Sequence, residues 1–162
     1  MATDVWVAGG IALAQGALGG GLTKIGPWYR NLRKPWFQPP DWAFGPAWSA
    51  ILALAAWSSV VAWRAADTSA EQASVIALFA VNGVFFLFWT PLFFVVKRPD
   101  WALIEVVFLW LSVAALVVGL WPISPFASLL VLPYLVWVTF ASALNRAVVR
   151  LNAPFTGAPS RA

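Results

Sequence analysis

Residues 27–48 read PWYRNLRKPWFQPPDWAFGPAW and join two apolar segments. The stretch holds four of the chain's twelve tryptophans, five of its twelve prolines and three of its ten cations, which is not how a loop in water is built. Pro35, Pro39, Pro40 and Pro46 each fix a backbone angle, remove an amide donor and push the preceding residue toward extended structure, so the segment is stiff without being helical. Trp28, Tyr29, Trp36, Trp42 and Trp48 alternate with Arg30, Arg33 and Lys34, a mixture suited to the boundary between lipid and water. Two readings of the stretch stand: an interfacial loop carrying an aromatic belt, or a lid over a binding cavity.

The rest of the chain agrees with a membrane setting. It is 62% hydrophobic and only 10% charged, far from the roughly 25% charged residues of a soluble domain. At about 20 apolar residues per crossing, five spans fit, over 5–22, 47–63, 72–96, 101–120 and 126–145. The expected fold is therefore an all-α integral membrane protein, a five-helix bundle filling residues 1–145 as one domain. Residues 146–162, rich in Pro, Gly, Ser and Thr, read as a frayed tail. The first span has the length of a signal peptide, but its head carries Asp4 and no cation, so it is read as a helix that is kept. In it, Gly16 and Gly20 form a small-xxx-small pair that lets another helix approach.

Nine of the ten cations fall on one side of this arrangement: Lys24, Arg30, Arg33, Lys34, Lys97, Arg98, Arg146, Arg150 and Arg161. Arg64, with Asp4, Asp67 and Glu71, falls on the other. The positive-inside rule then puts the Pro-rich loop and the C-terminus in the cytoplasm and the N-terminus outside. Apolar helices fit a bacterial inner membrane better than an outer one, whose spanning proteins are usually barrels.

What the sequence lacks narrows the chemistry. Without Cys or His there is no thiolate, no imidazole base and no soft metal site, and haem iron has neither of its commonest protein ligands. No phosphate-cradling glycine loop and no pair of carboxylates flanking a cleft is present, so no catalytic residue, metal ligand or cofactor is assigned. The net charge of +4 belongs to membrane loops and does not indicate nucleic acid.

Within the spans, Asn82, Phe86, Trp89 and Phe93 recur on one helical face, and Pro91 frees the carbonyl of Leu87, which predicts a kink near Trp89. Asn82 needs a polar partner, either a helix or a ligand. Glu105 is the one acid well inside a span; it is a functional suspect, or else a structural acid reaching Lys97 or water. In the last span Pro133 frees the carbonyl of Leu129, and Tyr134, Trp137, Ala141 and Leu144 or Asn145 share a face. If the second, third and fifth spans meet, Trp48, Trp89 and Trp137 converge beneath the Pro-rich loop as a flat apolar slot.

These residues resemble a known family. Pro27-Trp28-Tyr29, Leu32, Lys34-Pro35, Trp36, Pro39-Pro40, Phe44-Gly45-Pro46 and Trp48 are similar to the first loop of the translocator proteins, also called tryptophan-rich sensory proteins. The likeness continues in Trp89-Thr90-Pro91, Phe93-Phe94, Trp101-Ala102-Leu103-Ile104-Glu105, Ser124-Pro125, and Pro133-Tyr134-Leu135-Val136-Trp137 with Ala141 and Leu144-Asn145. It covers nearly the whole chain, and it favours the lid over the belt.

The resemblance implies a five-helix membrane protein, commonly a homodimer, whose first loop closes a cavity for porphyrins, sterols and synthetic lipophilic ligands. Carried over by position, the cavity residues are Trp36, Phe44, Trp48, Trp89, Trp101, Phe108, Trp137, Ala141 and Leu144. Three departures stand out. Leu52 occupies a position where the family often has tyrosine. Phe86 replaces an asparagine, with Asn82 one turn away as a substitute. Arg146 and Val149 interrupt the sterol-recognition pattern, which weakens a cholesterol-like ligand as the native one.

A tetrapyrrole is a flat π-system with acidic propionates on one edge, and the chain offers aromatic walls and headgroup-level cations to match. The expected function is a membrane receptor or translocator that takes a porphyrin as ligand, not as prosthetic group, for sequestration, transport or stress sensing. Two alternatives are light-dependent porphyrin degradation, with Trp36 or Trp48 beside the excited ring, and a small proton-coupled exporter using Glu105. The expected partners are the lipophilic ligand, the lipid bilayer and a second copy of the chain.

Overall fold

The computed structural model of the chain describes residues 3–155. Five of its helices are long and apolar enough to cross a bilayer: α1 (Thr3–Leu22), α3 (Phe44–Ala65), α4 (Ser69–Thr90), α5 (Pro99–Leu120) and α6 (Pro125–Asn152). A short α2 (Pro27–Asn31) and a single 3₁₀ turn (Asp41–Ala43) lie within the Pro-rich stretch. No strand occurs among the described residues.

The helix ends follow from local chemistry. At the head of α4, the Thr68 hydroxyl accepts from the Glu71 amide at 3.2 Å while the Glu71 carboxylate accepts from the Thr68 amide at 3.1 Å, a reciprocal cap. Pro27, Pro99 and Pro125 stand in the first turns of α2, α5 and α6, where a missing amide costs nothing. The kink expected near Trp89 takes the form of a π turn over Pro91–Val95, closed by the Val96 amide on the Pro91 carbonyl at 2.9 Å. The extra residue in that turn lets Phe93 and Phe94 both be buried. Lys97 follows with φ of 58°, a left-handed residue that reverses the chain into α5.

Around the bundle the helices run α1, α3, α6, α5, α4 and back to α1. Small residues set the α3–α6 approach: Ser58 and Ala62 of α3 and Ala127 of α6 are fully buried. The Ser58 hydroxyl donates to the Ala127 carbonyl at 2.8 Å, and Ser128 donates to the Val117 carbonyl of α5 at 2.6 Å. On the other side of α5, the Asn82 amide donates to Ser112 at 3.0 Å, so Asn82 is satisfied by a neighbouring helix. Of the glycine pair in α1, only Gly16 is a close approach, with a Cβ there lying 3.4 Å from Leu52; Gly20 faces open space.

The last helix differs most from expectation. It runs on through Arg146 to Asn152, seven residues past the expected boundary, because Val148 packs beneath α2 and Asn152 is held by the Pro-rich loop. Of the expected frayed tail, 156–162 lies outside the described residues.

That loop is clamped at both ends. On one side Tyr29, Phe93, Phe94, Ala102 and Val148 form a buried cluster, so α2 sits on the ends of three transmembrane helices. On the other, Phe37 packs edge-on against Phe140 of α6, with ring centres 6.3 Å apart. Between them the Tyr29 hydroxyl donates to Asp41 at 3.1 Å and accepts from Gln38 at 3.1 Å. Lys34 lies 4.0 Å above the Tyr29 ring and 3.8 Å from Asp41. Burial, and then the charge of Asp41, push the Tyr29 phenol up to about 12.

Two measurements check this account. Ser58→Leu overfills a fully buried crossing and removes the hydroxyl's bond to the Ala127 carbonyl, so thermal unfolding in micelles should show a loss of about 1–3 kcal/mol, whereas a lipid-facing Trp57→Leu should cost far less. Because the folded loop holds Tyr29 in its neutral form, the phenol's contribution to the clamp is intact from neutral pH to about 10 and is lost as pH rises through about 12. Phenolate absorbance should follow that window. Tyr29→Phe, which deletes both hydroxyl bonds, should speed tryptic cleavage after Arg30 and Arg33 severalfold at neutral pH.

Candidate functional site

Trp48 enters the bundle one turn into α3, directly below the clamped loop. Its ring centre lies 5.3 Å from Phe86 of α4, 6.1 Å from Tyr134 and 6.2 Å from Trp137 of α6, with interplanar angles of 70° to 86°. Phe44 meets Trp137 at 5.9 Å, also edge-on, and Trp137 meets Phe140 at 5.6 Å. Edge-to-face contact sets the positive rim of one ring against the negative face of the next, worth about 0.5–1.5 kcal/mol per pair beyond burial. Rings from three helices therefore converge under the loop, and they do so in contact with one another. A planar guest must part Trp48 from Trp137 to lie between them.

Trp89 belongs to an adjoining layer. It stacks on Phe93 at 5.1 Å and touches Phe94 edge-on, and both rings continue into the cluster that carries Tyr29. The two layers meet at the loop's underside. Leu52, one turn below Trp48, is buried against Gly16 of α1. Ala141 and Leu144 continue the Trp137 face of α6, half-buried.

Three residues carried over by resemblance sit elsewhere. Trp36 is 96% exposed at the loop's tip, touching only Phe37 among the rings. Trp101 lies under the Arg98 guanidinium at 4.4 Å on the outer surface of α5, and Phe108 stacks on Phe85 at 5.8 Å on the outer side of α4 and α5. Their period-matched neighbours on α5, Ala102, Glu105 and Leu109, face inward instead.

The polar chemistry of the interior is unevenly satisfied. Trp110 donates its indole N–H to Thr139 at 2.8 Å, and Asn145 bridges to the head of α5, donating to the Pro99 carbonyl and accepting from the Leu103 amide, both at 3.1 Å. By contrast, the indole nitrogens of Trp89 and Trp137, the Tyr134 hydroxyl and both oxygens of Glu105 are buried with no hydrogen-bond partner. Such groups are costly in a dry interior and mark places where another molecule can bond. Glu105 does not reach Lys97, which is exposed in the turn before α5. Arg98, at the same turn, pairs with Asp100, and the proximity of that carboxylate raises its already high basicity.

The part played by Tyr29 and Asp41 is not visible in residue spacing, since the two lie in separate short turns of a proline-rich loop with no common period. The α3–α6 crossing had a readable signal, because Ser58, Ala62 and Ala66 recur every four residues as a small-residue seam.

Comparison with known proteins agrees with this architecture. The profile of the TspO/MBR family matches residues 7–151. The "Tryptophan-rich sensory protein" of Cereibacter sphaeroides is 39% identical over 133 residues, covering 82% of this chain and 82% of that one. "Protein CrtK" of Rhodobacter capsulatus is 37% identical over 145 residues, covering 88% of this chain and 89% of the relative. The "Translocator protein" of Sus scrofa is 34% identical over 145 residues, covering 89% and 83% respectively. With five apolar spans, a clamped first loop and matches of this extent, the chain belongs to the TspO/MBR family of integral membrane proteins.

Proposed function

We propose that the protein is a receptor or translocator for porphyrins of the protoporphyrin type, binding them beneath the Pro-rich loop and sequestering, moving or sensing them. One observation carries the reading. Trp48 gathers Phe86, Tyr134 and Trp137 under a clamped loop, and beside it the Trp89 and Trp137 indoles have buried N–H groups without acceptors. Flat aromatic walls with free donors match a planar ring that carries carbonyl or carboxylate oxygens at its edge. Loop-one cations stand at the level where such an edge would emerge.

Burying on the order of 300 Å² of apolar ligand surface is worth about 7 kcal/mol, and the cost of association and of parting the rings brings the affinity to the micromolar range. The cation-rich face, which includes the loop and the end of α6, is assigned to the cytoplasm, with the N-terminus outside and the protein in an inner membrane. A homodimer fits the same picture, because α1 has no fully buried residue in the monomer.

Tryptophan-quenching titrations in micelles test the proposal. Metal-free protoporphyrin should bind at least as tightly as haem, since neither His nor Cys is present to ligate iron. Trp137→Phe keeps a ring but removes the donor, and it should weaken binding about five- to tenfold, in line with about 1–1.4 kcal/mol for a buried hydrogen bond. Trp121→Phe, remote from the cluster, should leave the affinity unchanged. A strong preference for haem with an axial-ligand spectrum, or equal affinities for the two variants, overturns the reading.

A further inference from the structure

A shallow groove of about 370 Å³ runs between the Pro-rich loop and the last two turns of α6, lined by Lys34, Pro35, Trp36, Ala147, Arg150 and Leu151. It lies on the outside of the loop, away from the Trp48 cluster. Its two walls are locked together. The Arg33 amide donates to the Asn152 side-chain oxygen at 2.8 Å, and the Asn152 amide donates back to the Arg33 carbonyl at 2.9 Å and to the Val148 carbonyl at 2.8 Å. The groove is thus a fixed feature of the fold and does not depend on how a mobile loop happens to lie.

The groove's depth in the membrane follows from helix length. α6 has 28 residues, or about 42 Å, against a hydrocarbon core of about 30 Å. With Pro125, which follows the turn from α5, at the opposite boundary, the surplus of roughly 12 Å, about eight residues, falls at the cationic end, Arg146 to Asn152, at headgroup level. Trp36, 96% exposed, is where an amphipathic ring belongs at that level.

The electrostatics are one-sided. Arg150 and Arg146 stand one turn apart on α6, both exposed, with neither an ion pair nor a hydrogen bond from either side chain among the described residues. Lys34 shares Asp41 at 3.8 Å, and Arg30 and Arg33 lie close by in sequence. One acid against five cations leaves a strong excess of positive charge around an apolar floor. Residues 156–162 contain Arg161 and no acidic side chain, so their side chains offer no complement to it.

We propose that this groove is a binding site for an anionic phospholipid of the surrounding leaflet, its phosphate held between Arg150 and Lys34 and its glycerol and upper acyl carbons lying against Pro35, Trp36 and Leu151. Each element of the groove has a counterpart in that ligand: cations at phosphate height, an apolar floor leading toward the core, and an indole at the interface. A basic pocket beside the end of a transmembrane helix attracts acidic headgroups. The groove's lining shares no residue with the Trp48 cluster, and the proposal needs no porphyrin beneath the loop.

The test uses the purified full-length chain in zwitterionic micelles, with dioleoyl phosphatidylglycerol and dioleoyl phosphatidylcholine as probes, read by native mass spectrometry and by thermal unfolding. Phosphatidylglycerol should remain bound and raise the midpoint of unfolding, while phosphatidylcholine should do neither. Arg150→Gln should reduce retention at least fivefold, Trp36→Ala should reduce it measurably, and Lys97→Gln, an exposed cation on the same face outside the groove, should leave it unchanged. Circular dichroism establishes that each variant is folded, and Arg150→Ala serves as a second substitution at the same exposed position. Equal retention of the two lipids overturns the proposal, as does an equal loss in Lys97→Gln and Arg150→Gln, which would mark diffuse charge. Displacement of the lipid by millimolar inorganic phosphate would reduce the groove to a simple anion site and equally overturn it.

Discussion

The hydroxyl of Ser58 on the carbonyl of Ala127 is a small interaction with a large structural role, because lipid removes the usual reason for helices to associate. An apolar side chain gains nothing by leaving acyl chains for another apolar side chain, so the bundle depends on how closely backbones approach and on the few polar bonds that cross between them. Ser58, Ala62 and Ala127 permit the approach, and the bond uses it. Asn82 with Ser112, and Ser128 with Val117, repeat the device at the other helix pairs. Only because α3 and α6 are drawn together at this level can Trp48 and Trp137, about three turns away toward the loop, come within contact.

The aromatic layer above that seam obeys a different rule. Its rings pack edge to face and would be self-sufficient were it not for their nitrogen atoms. Trp110, out on the lipid-facing side of α5 and α6, has found Thr139, while Trp89 and Trp137 in the sheltered interior have found nothing. Interiors of this kind usually satisfy their donors first and their exposed rims last. The reversal lies directly under a loop whose backbone is restrained by proline, by a phenol hydrogen bond and by two ends docked on different helices.

Much of this architecture is legible in the residues. Apolar runs gave the five spans, since a helix in hydrocarbon leaves an unmistakable compositional trace. Pro91 announced a break, although a sequence does not distinguish a simple kink from the π turn that forms. The shared face of Tyr134, Trp137 and Ala141 followed from period alone. Other features had no such trace. The length of α6 was hidden because Arg146 and Arg150 look like the start of a tail, while helicity there is imposed by Val148 and Asn152 docking on the loop. The outward placement of Trp101 and Phe108 was hidden for a related reason: α5 is apolar on every side, so hydropathy could not say which face meets the bundle, and the small and polar residues Ala102, Glu105 and Ser112 decide it. The clamp of Tyr29, Asp41, Lys34 and Gln38 is a meeting of groups scattered along a non-periodic loop, which only the folded backbone brings together.

The ring order of the helices bears on how the protein is made. α1 pairs with α3, and α4 pairs with α5, but α3 and α4, consecutive in the chain, share little surface. Beside the thinner α1–α4 and α3–α4 contacts, the broadest join between the two halves is α6, which packs against α3 on one flank and α5 on the other. Without α6 the first four spans make two loosely related pairs, α1 with α3 and α4 with α5. The last of the five spans acts as keystone, closing the barrel of helices and, through Asn152, fastening a loop more than a hundred residues earlier in the chain.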